Sequence, residues 1–223
     1  MEFFYEIWDF LYQLLFNTQE TLNYLVNRYD TWVYGILLVI IFCETGLVVT
    51  PFLPGDSLLF LAGAITANSG NHLHLHWLLV ILIIAAILGD AVNYTIGRFF
   101  GEKLFRNPDS KIFKQKYLEK THLFYEKHGG KTIILARFVP VVRTFAPFVA
   151  GMSKMTYKYF LSFNIIGGIS WVLIFCLLGY FVGGMDFVQN NLKLVVVFII
   201  IISIIPGIYQ ALKIKFQKES VIK

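Results

Sequence analysis

Four ionisable residues lie where such residues are rarest. Glu44 and Asp56 fall in ETGLVVTPFLPGD, and Arg137 and Arg143 in RFVPVVR, inside stretches that are otherwise almost wholly apolar. Near a bilayer centre each unpaired charge costs about 2.5–3.5 kcal/mol, so four would cost roughly 10–14 kcal/mol, comparable with the stability of a whole domain. Such charges must pair, face a water-filled cavity, or both. Two acids in one segment and two arginines in the other match in number and in sign. Arginine offers a phosphate bidentate hydrogen bonds and a permanent charge. A carboxyl balanced between burial, which favours its neutral form, and a nearby arginine, which favours its ionised form, is able to exchange a proton. These residue types therefore point to Arg137 and Arg143 as substrate-binding groups, and to Glu44 and Asp56 as proton-coupling groups or charge partners. The plainer alternative is a pair of braces between two segments. Apolar packing braces at least as well, which disfavours it. Asp90, Asn93 and Tyr94, with Gly97, make a polar and small stripe that supplies secondary candidates; helix packing is the competing reading for them.

The elements that position these charges belong in lipid. Of 223 residues, 57% are hydrophobic and 15% charged, whereas a soluble domain has about a quarter of its residues charged. Apolar runs reach the ~20 residues that a helix needs to cross ~30 Å of hydrocarbon. Residues such as those of Trp77–Ala86 are apolar on every face, which rejects the alternation of a membrane β-barrel. Cys43 and Cys176 both lie in apolar runs, giving no disulfide framework and no metal cage. The first basic residue is Arg28, so the N-terminus lacks the charged start of a signal peptide. The net charge of +5 flanks the apolar runs, as membrane topology demands, and does not form a nucleic-acid patch.

The spacing predicts an all-α integral membrane bundle read as one domain over residues 31–212, preceded by N-terminal interfacial helices over 1–30 and followed by a basic cytoplasmic tail over 213–223. Residues 32–67 would extend ~54 Å as one helix, too long for the bilayer, and Pro51, Pro54 and Gly55 interrupt them. We therefore read a span over about 32–49 and a re-entrant hairpin over about 50–67. A second span runs over about 77–97. Residues 98–131 hold nine Lys or Arg against four acids, and should be cytoplasmic. Residues 132–151, interrupted by Pro140 and Pro147, read as a second re-entrant hairpin, with spans following over about 159–182 and 192–212. Gly63 and Gly151 close the two hairpins and join the prolines and Gly55 as hairpin-shaping residues.

The two halves resemble each other. Ala62-Gly63 is followed by Tyr94-x-x-Gly97, and Ala150-Gly151 by Tyr180-x-x-Gly183, at spacings of 31 and 29 residues from glycine to tyrosine. The topology makes the units inverted, with hairpins entering from opposite sides and meeting near the midplane. Inverted repeats with broken helices are a transporter architecture whose site lies at the repeat interface. Other polar features take structural readings: His72, His74 and His76 are solvated near headgroups, and Trp8, Trp32, Trp77 and Trp171 are interface anchors or packing residues. A lipid phosphatase would need a nucleophilic His, and neither hairpin contains one, so no enzyme is expected and no cofactor.

At these residues the sequence resembles the DedA family of bacterial inner-membrane proteins, also called SNARE-associated or VTT-domain proteins. The matching pieces are Glu44-Thr-Gly-Leu, Pro51-Phe-Leu-Pro-Gly-Asp56-Ser, Ala62-Gly63 and Gly89-Asp90 with Tyr94, Gly97, Arg98 and Gly101. They continue with Arg137-Phe-Val-Pro140, Arg143, Pro147 and Ala150-Gly151, so that the match covers about residues 30–185. The resemblance implies a multi-pass protein of the bacterial cytoplasmic membrane that moves lipid, undecaprenyl phosphate for envelope synthesis or phosphatidylethanolamine, with dependence on the proton-motive force. It also implies that Glu44, Asp56, Arg137 and Arg143 occupy functionally required places. The leading expectation is a flippase for an anionic lipid phosphate; the alternatives are a proton-coupled antiporter of small cations or drugs and a phosphatidylethanolamine flippase.

Overall fold

The computed structural model describes residues 28–47, 55–67, 73–104 and 130–183, with a few single positions beyond them. Regular structure among the described residues is helical throughout. A 3₁₀ turn at Asp30–Trp32 leads into α1 (Val33–Gly46), followed by α2 (Gly55–Thr66), α3 (Leu75–Leu104), α4 (Lys131–Ala136), α5 (Pro140–Met152) and α6 (Tyr157–Val182). The expected interfacial helices over 1–30 apart from their last three residues, the Pro51–Pro54 tip, most of the basic segment, most of the last span and the tail lie outside the described residues.

Among the described residues two helices are long and apolar enough to cross a membrane: α3 over Leu75–Phe100 and the whole of α6, each with 26 residues. At 1.5 Å per residue that is about 39 Å, more than the ~30 Å hydrocarbon layer. Both present apolar side chains outward, Val80, Ile84, Leu88 and Val92 on α3 and Ile174, Leu178 and Phe181 on α6. The four-residue recurrence on α3 forms one helix face, an arrangement suited to lipid as solvent. These helices coincide with the expected spans at 77–97 and 159–182. Over the expected span at 32–49 the helix itself runs only from Val33 to Gly46.

The second expected hairpin is a broken helix. Helix α4 ends at Ala136, Arg137–Val139 carry the break, and α5 opens on Pro140. Val139 is extended, with φ −118° and ψ 106°, because the ring of a following proline disfavours helical geometry in the residue before it. Pro140 fits at the first helical position, where its missing N–H has no intrahelical role. Pro147, expected to shape the hairpin, instead lies inside α5; the break belongs to Pro140 alone. Helix α5 ends in a left-handed residue, Lys154 at φ 58°. The Lys154 and Met155 N–H groups donate back to the Gly151 and Ala150 carbonyls, the double bond of a Schellman cap.

The chain forms two compact units. The first comprises residues 1–41, 52–85 and 170–200, and the second residues 42–51, 86–169 and 201–223. In the first, α2 packs on the C-terminal half of α6. A Cβ on Gly63 would collide with the Cys176 carbonyl, and a Cβ on Gly179 with the Phe60 carbonyl. In the second, α5 packs on the C-terminal half of α3 by the same reciprocal rule: Gly97 lies against the Phe148 carbonyl and Gly151 against the Tyr94 carbonyl. Without a hydrophobic drive between helices in lipid, small residues that let backbones touch are what membrane helices use to associate. Gly63 and Gly151 are the contact points of these helix pairs.

These reciprocal contacts also correct the register of the internal repeat. Gly97 corresponds to Gly179 and Tyr94 to Cys176, one helical turn before the Tyr180-x-x-Gly183 expected from spacing. Each hairpin helix packs on the long helix of the other half of the sequence. In the second unit the packing core is Tyr94, Ile133, Ala136, Ala146, Ala150, Met155 and Phe160. Tyr94 stacks on Phe160 with ring centroids 4.5 Å apart, and its hydroxyl donates to the Met155 carbonyl at the α5 cap.

Candidate functional site: two buried ion pairs

Within the second unit, α1, α3, α5, α6 and the break between α4 and α5 bring together the buried charges. Glu44, on the last turn of α1, pairs with Arg143 of α5. Asp90, in the middle of α3, accepts from Arg137 Nη2 at 2.5 Å. None of the four is more than 5% exposed. The position of Arg137 follows from the chain break, because it is the residue on which α4 stops. Arg143 stands one turn into α5, on the helix that Pro140 starts.

Side-chain amides fix the spacing between these elements. Asn93 is one turn beyond Asp90 on α3 and fully buried. Its Nδ2 donates to the Thr45 carbonyl at 3.0 Å and to the Thr144 carbonyl at 2.8 Å. Those are the residues immediately after Glu44 and Arg143, so one carboxamide holds both backbones that carry the ion pair. Asn164 of α6 donates to the Ile87 carbonyl at 3.0 Å, and Arg137 Nη2 to the Ala86 carbonyl at 3.1 Å. Helix α3 is thus tied on the same face to α1, α5 and α6. Gly89 completes the fit, because a Cβ there would collide with Thr45 and the Phe42 carbonyl at the end of α1.

The charges cost too much to be buried singly, and each pair offsets that cost only while both partners remain. What the arrangement can do chemically follows from arginine. Each guanidinium already holds one carboxylate, and an incoming phosphate offers the same oxygen geometry with more charge. The site can therefore exchange anions: a substrate oxygen for a protein carboxylate.

Asp56 belongs to the first unit. It stands in the first turn of α2, where the helix N-terminus favours a carboxylate, and accepts from the Trp171 indole N–H at 2.8 Å. Both side chains are buried. Sequence reasoning matched Asp56 to the arginines in number and sign and missed its Trp171 donor; the signal was an indole N–H in an apolar span that had to find an acceptor. Asn164 was missed as well, though an amide in a membrane helix carries the same signal. Asp90, ranked second from the sequence, is the direct partner of Arg137, and Tyr94 belongs to the packing core. Among the described residues no group of three His, Cys, Asp or Glu is placed to hold a metal.

Residues 53–181 match the model of the VTT domain, and Protein DedA of Escherichia coli K12 is 59% identical over 215 residues, 96% of either chain. The chain belongs to the VTT-domain, or DedA, family. An uncharacterized membrane protein of Mycobacterium tuberculosis H37Rv is 43% identical to this DedA-family protein over 178 residues, 80% of this chain and 78% of the relative. The inner membrane protein YqjA of Escherichia coli K12 is 37% identical over 150 residues, 67% of each. No solved structure matches this family member. The matched domain begins before Asp56 and ends after Trp171, so it contains Asp90, Arg137 and Arg143, while Glu44 lies upstream of it.

Proposed function

We propose that this DedA-family protein is a multi-pass transporter of the bacterial cytoplasmic membrane that moves an anionic lipid phosphate between leaflets. Residues 50–67 and 132–151 act as re-entrant hairpins in this reading. Arg137 and Arg143 receive the phosphate, while Glu44 and Asp56 exchange partners or protons during the cycle. The observation that carries it is the pair of buried arginines, each already on a carboxylate, in a helical chain built for lipid. Structural braces need no charge at all in such a place, whereas an anion carrier needs cations that are never left unpaired.

Of the lipids to which the resemblance points, undecaprenyl phosphate fits two arginines best, because a phosphate monoester carries close to two negative charges at neutral pH. Phosphatidylethanolamine presents a single phosphate charge and an ammonium. The purified protein in liposomes, given a fluorescent polyprenyl phosphate or a fluorescent phosphatidylethanolamine in one leaflet, should accelerate flipping of the first. Arg143→Lys should abolish the acceleration although the charge is kept, since lysine lacks the planar fork. Equal rates with and without protein, for every lipid phosphate offered, would remove the proposal.

A further inference from the structure

We propose that Asp90 competes with the anionic substrate for Arg137, so that the Asp90–Arg137 pair is a built-in brake on anion binding. The inference rests on the reading of Arg137 as a phosphate-binding group. Its basis is how fully the guanidinium is engaged. Nη2 donates to Asp90 Oδ2 at 2.5 Å and to the Ala86 carbonyl at 3.1 Å, which uses both of its hydrogens. Nη1 lies 3.5 Å from the Asn164 carbonyl. The slot is closed on the α6 side as well: a Cβ on Gly168 would lie 2.6 Å from Nη1. A bidentate anion needs one N–H from each of two neighbouring nitrogens, and Nη2 contributes to both such edges of the guanidinium; with its two hydrogens taken by a carboxylate and a carbonyl of α3, neither edge is open to an anion.

Asp90 is suited to this by its place. It is set in the middle of a 30-residue helix, and the turn before it is anchored to α6 through the Asn164–Ile87 bond. Its short side chain has little reach, so Arg137 must leave Asp90 and not the reverse. The competition is of like with like, carboxylate against phosphate, and its strength sets the substrate affinity.

The test is binding of farnesyl monophosphate to the purified full chain in detergent, by calorimetry. Asp90→Asn keeps an acceptor oxygen but withdraws the charge. Losing a charge-assisted competitor of ordinary strength should tighten binding about tenfold. The gain should vanish when Arg137→Gln is added, which locates it at that guanidinium. If Asp90→Asn does not accumulate as folded protein, Asp90→Ser serves the same purpose. Unchanged or weaker binding in the charge-free variant, with saturable binding by the wild type, overturns the brake and leaves the phosphate reading standing. An absence of saturable binding in the wild type and the variants alike overturns both. Binding that appears only once Asp90 is neutral supports the brake in its strongest form.

Discussion

At the scale of residues, the charges were legible in the sequence and their partners were not. Glu44, Asp56, Arg137 and Arg143 stand out because lipid penalises them, and that penalty acts whatever the fold. Which acid meets which arginine depends on where the helices cross, and no spacing in the chain encodes it. The structure pairs Glu44 with Arg143 and Arg137 with Asp90, and gives Asp56 the indole of Trp171. The mutational consequences change accordingly. Arg143→Gln takes from the buried Glu44 the guanidinium that faces it, and should cost about 3–5 kcal/mol. Adding Glu44→Gln should recover most of that loss, as read by thermal unfolding in detergent, whereas Glu44→Gln combined with Arg137→Gln should show no such recovery. Lipid flipping should stay lost in the charge-free Glu44/Arg143 pair; its return would show that the pair only braces. At the other acid, Trp171→Phe removes one hydrogen bond to a carboxylate while keeping most of the ring, and should lower stability by about 1.5–3 kcal/mol.

At the scale of elements, length and composition located α3 and α6, since a helix that crosses lipid must be long and apolar whatever it packs against. The second break was legible too, because Pro140 constrains both itself and Val139. Pro147 misled for a physical reason: a proline inside a helix removes one backbone bond and bends the axis without necessarily ending it. The internal repeat was legible only to within a turn. Tyr94-x-x-Gly97 and Tyr180-x-x-Gly183 match by letter, yet it is Gly179 that meets the Phe60 carbonyl as Gly97 meets that of Phe148. Backbone contact, not residue identity, defines the equivalence, and Cys176 can replace Tyr94 because only its carbonyl is needed. The corrected register makes a prediction at this scale. Gly97→Ala and Gly179→Ala should each destabilise by about 1–3 kcal/mol, or more where the backbones cannot part. Both would be read from melting in detergent, and Gly35→Ala, with no atom near its Cβ position, is the neutral control. Equal tolerance at all three positions would contradict the reciprocal packing.

At the scale of the whole molecule, membrane character was the most legible property, because a deficit of charge summed over 223 residues does not depend on any local assignment. The topology is a proposal resting on charge asymmetry. Nine basic residues between 98 and 131, Lys154 and Lys158, and four lysines after 212 all fall on one side, and the positive-inside rule makes that side cytoplasmic. The scheme needs an odd number of crossings between residues 68–76 and 98–131, and α3, whose 26-residue stretch Leu75–Phe100 is long and apolar enough to cross a membrane, is the helix proposed to make one. It needs an even number, or a hairpin that returns, between 131 and 154, and a return through α4, the break and α5 is what the scheme proposes there. Six residues of α4 reach about 9 Å and thirteen of α5 about 20 Å, so neither crosses ~30 Å of hydrocarbon alone. The lengths thus agree with the charges. A cysteine placed at Ser110 in a variant lacking Cys43 and Cys176 should resist a membrane-impermeant maleimide in intact cells and react once the cells are opened. A cysteine at Ser69 should react from outside. Labelling of the Ser110 position in intact cells would invert the scheme, and would move the proposed entry of the Arg137 hairpin from the cytoplasmic to the outer side.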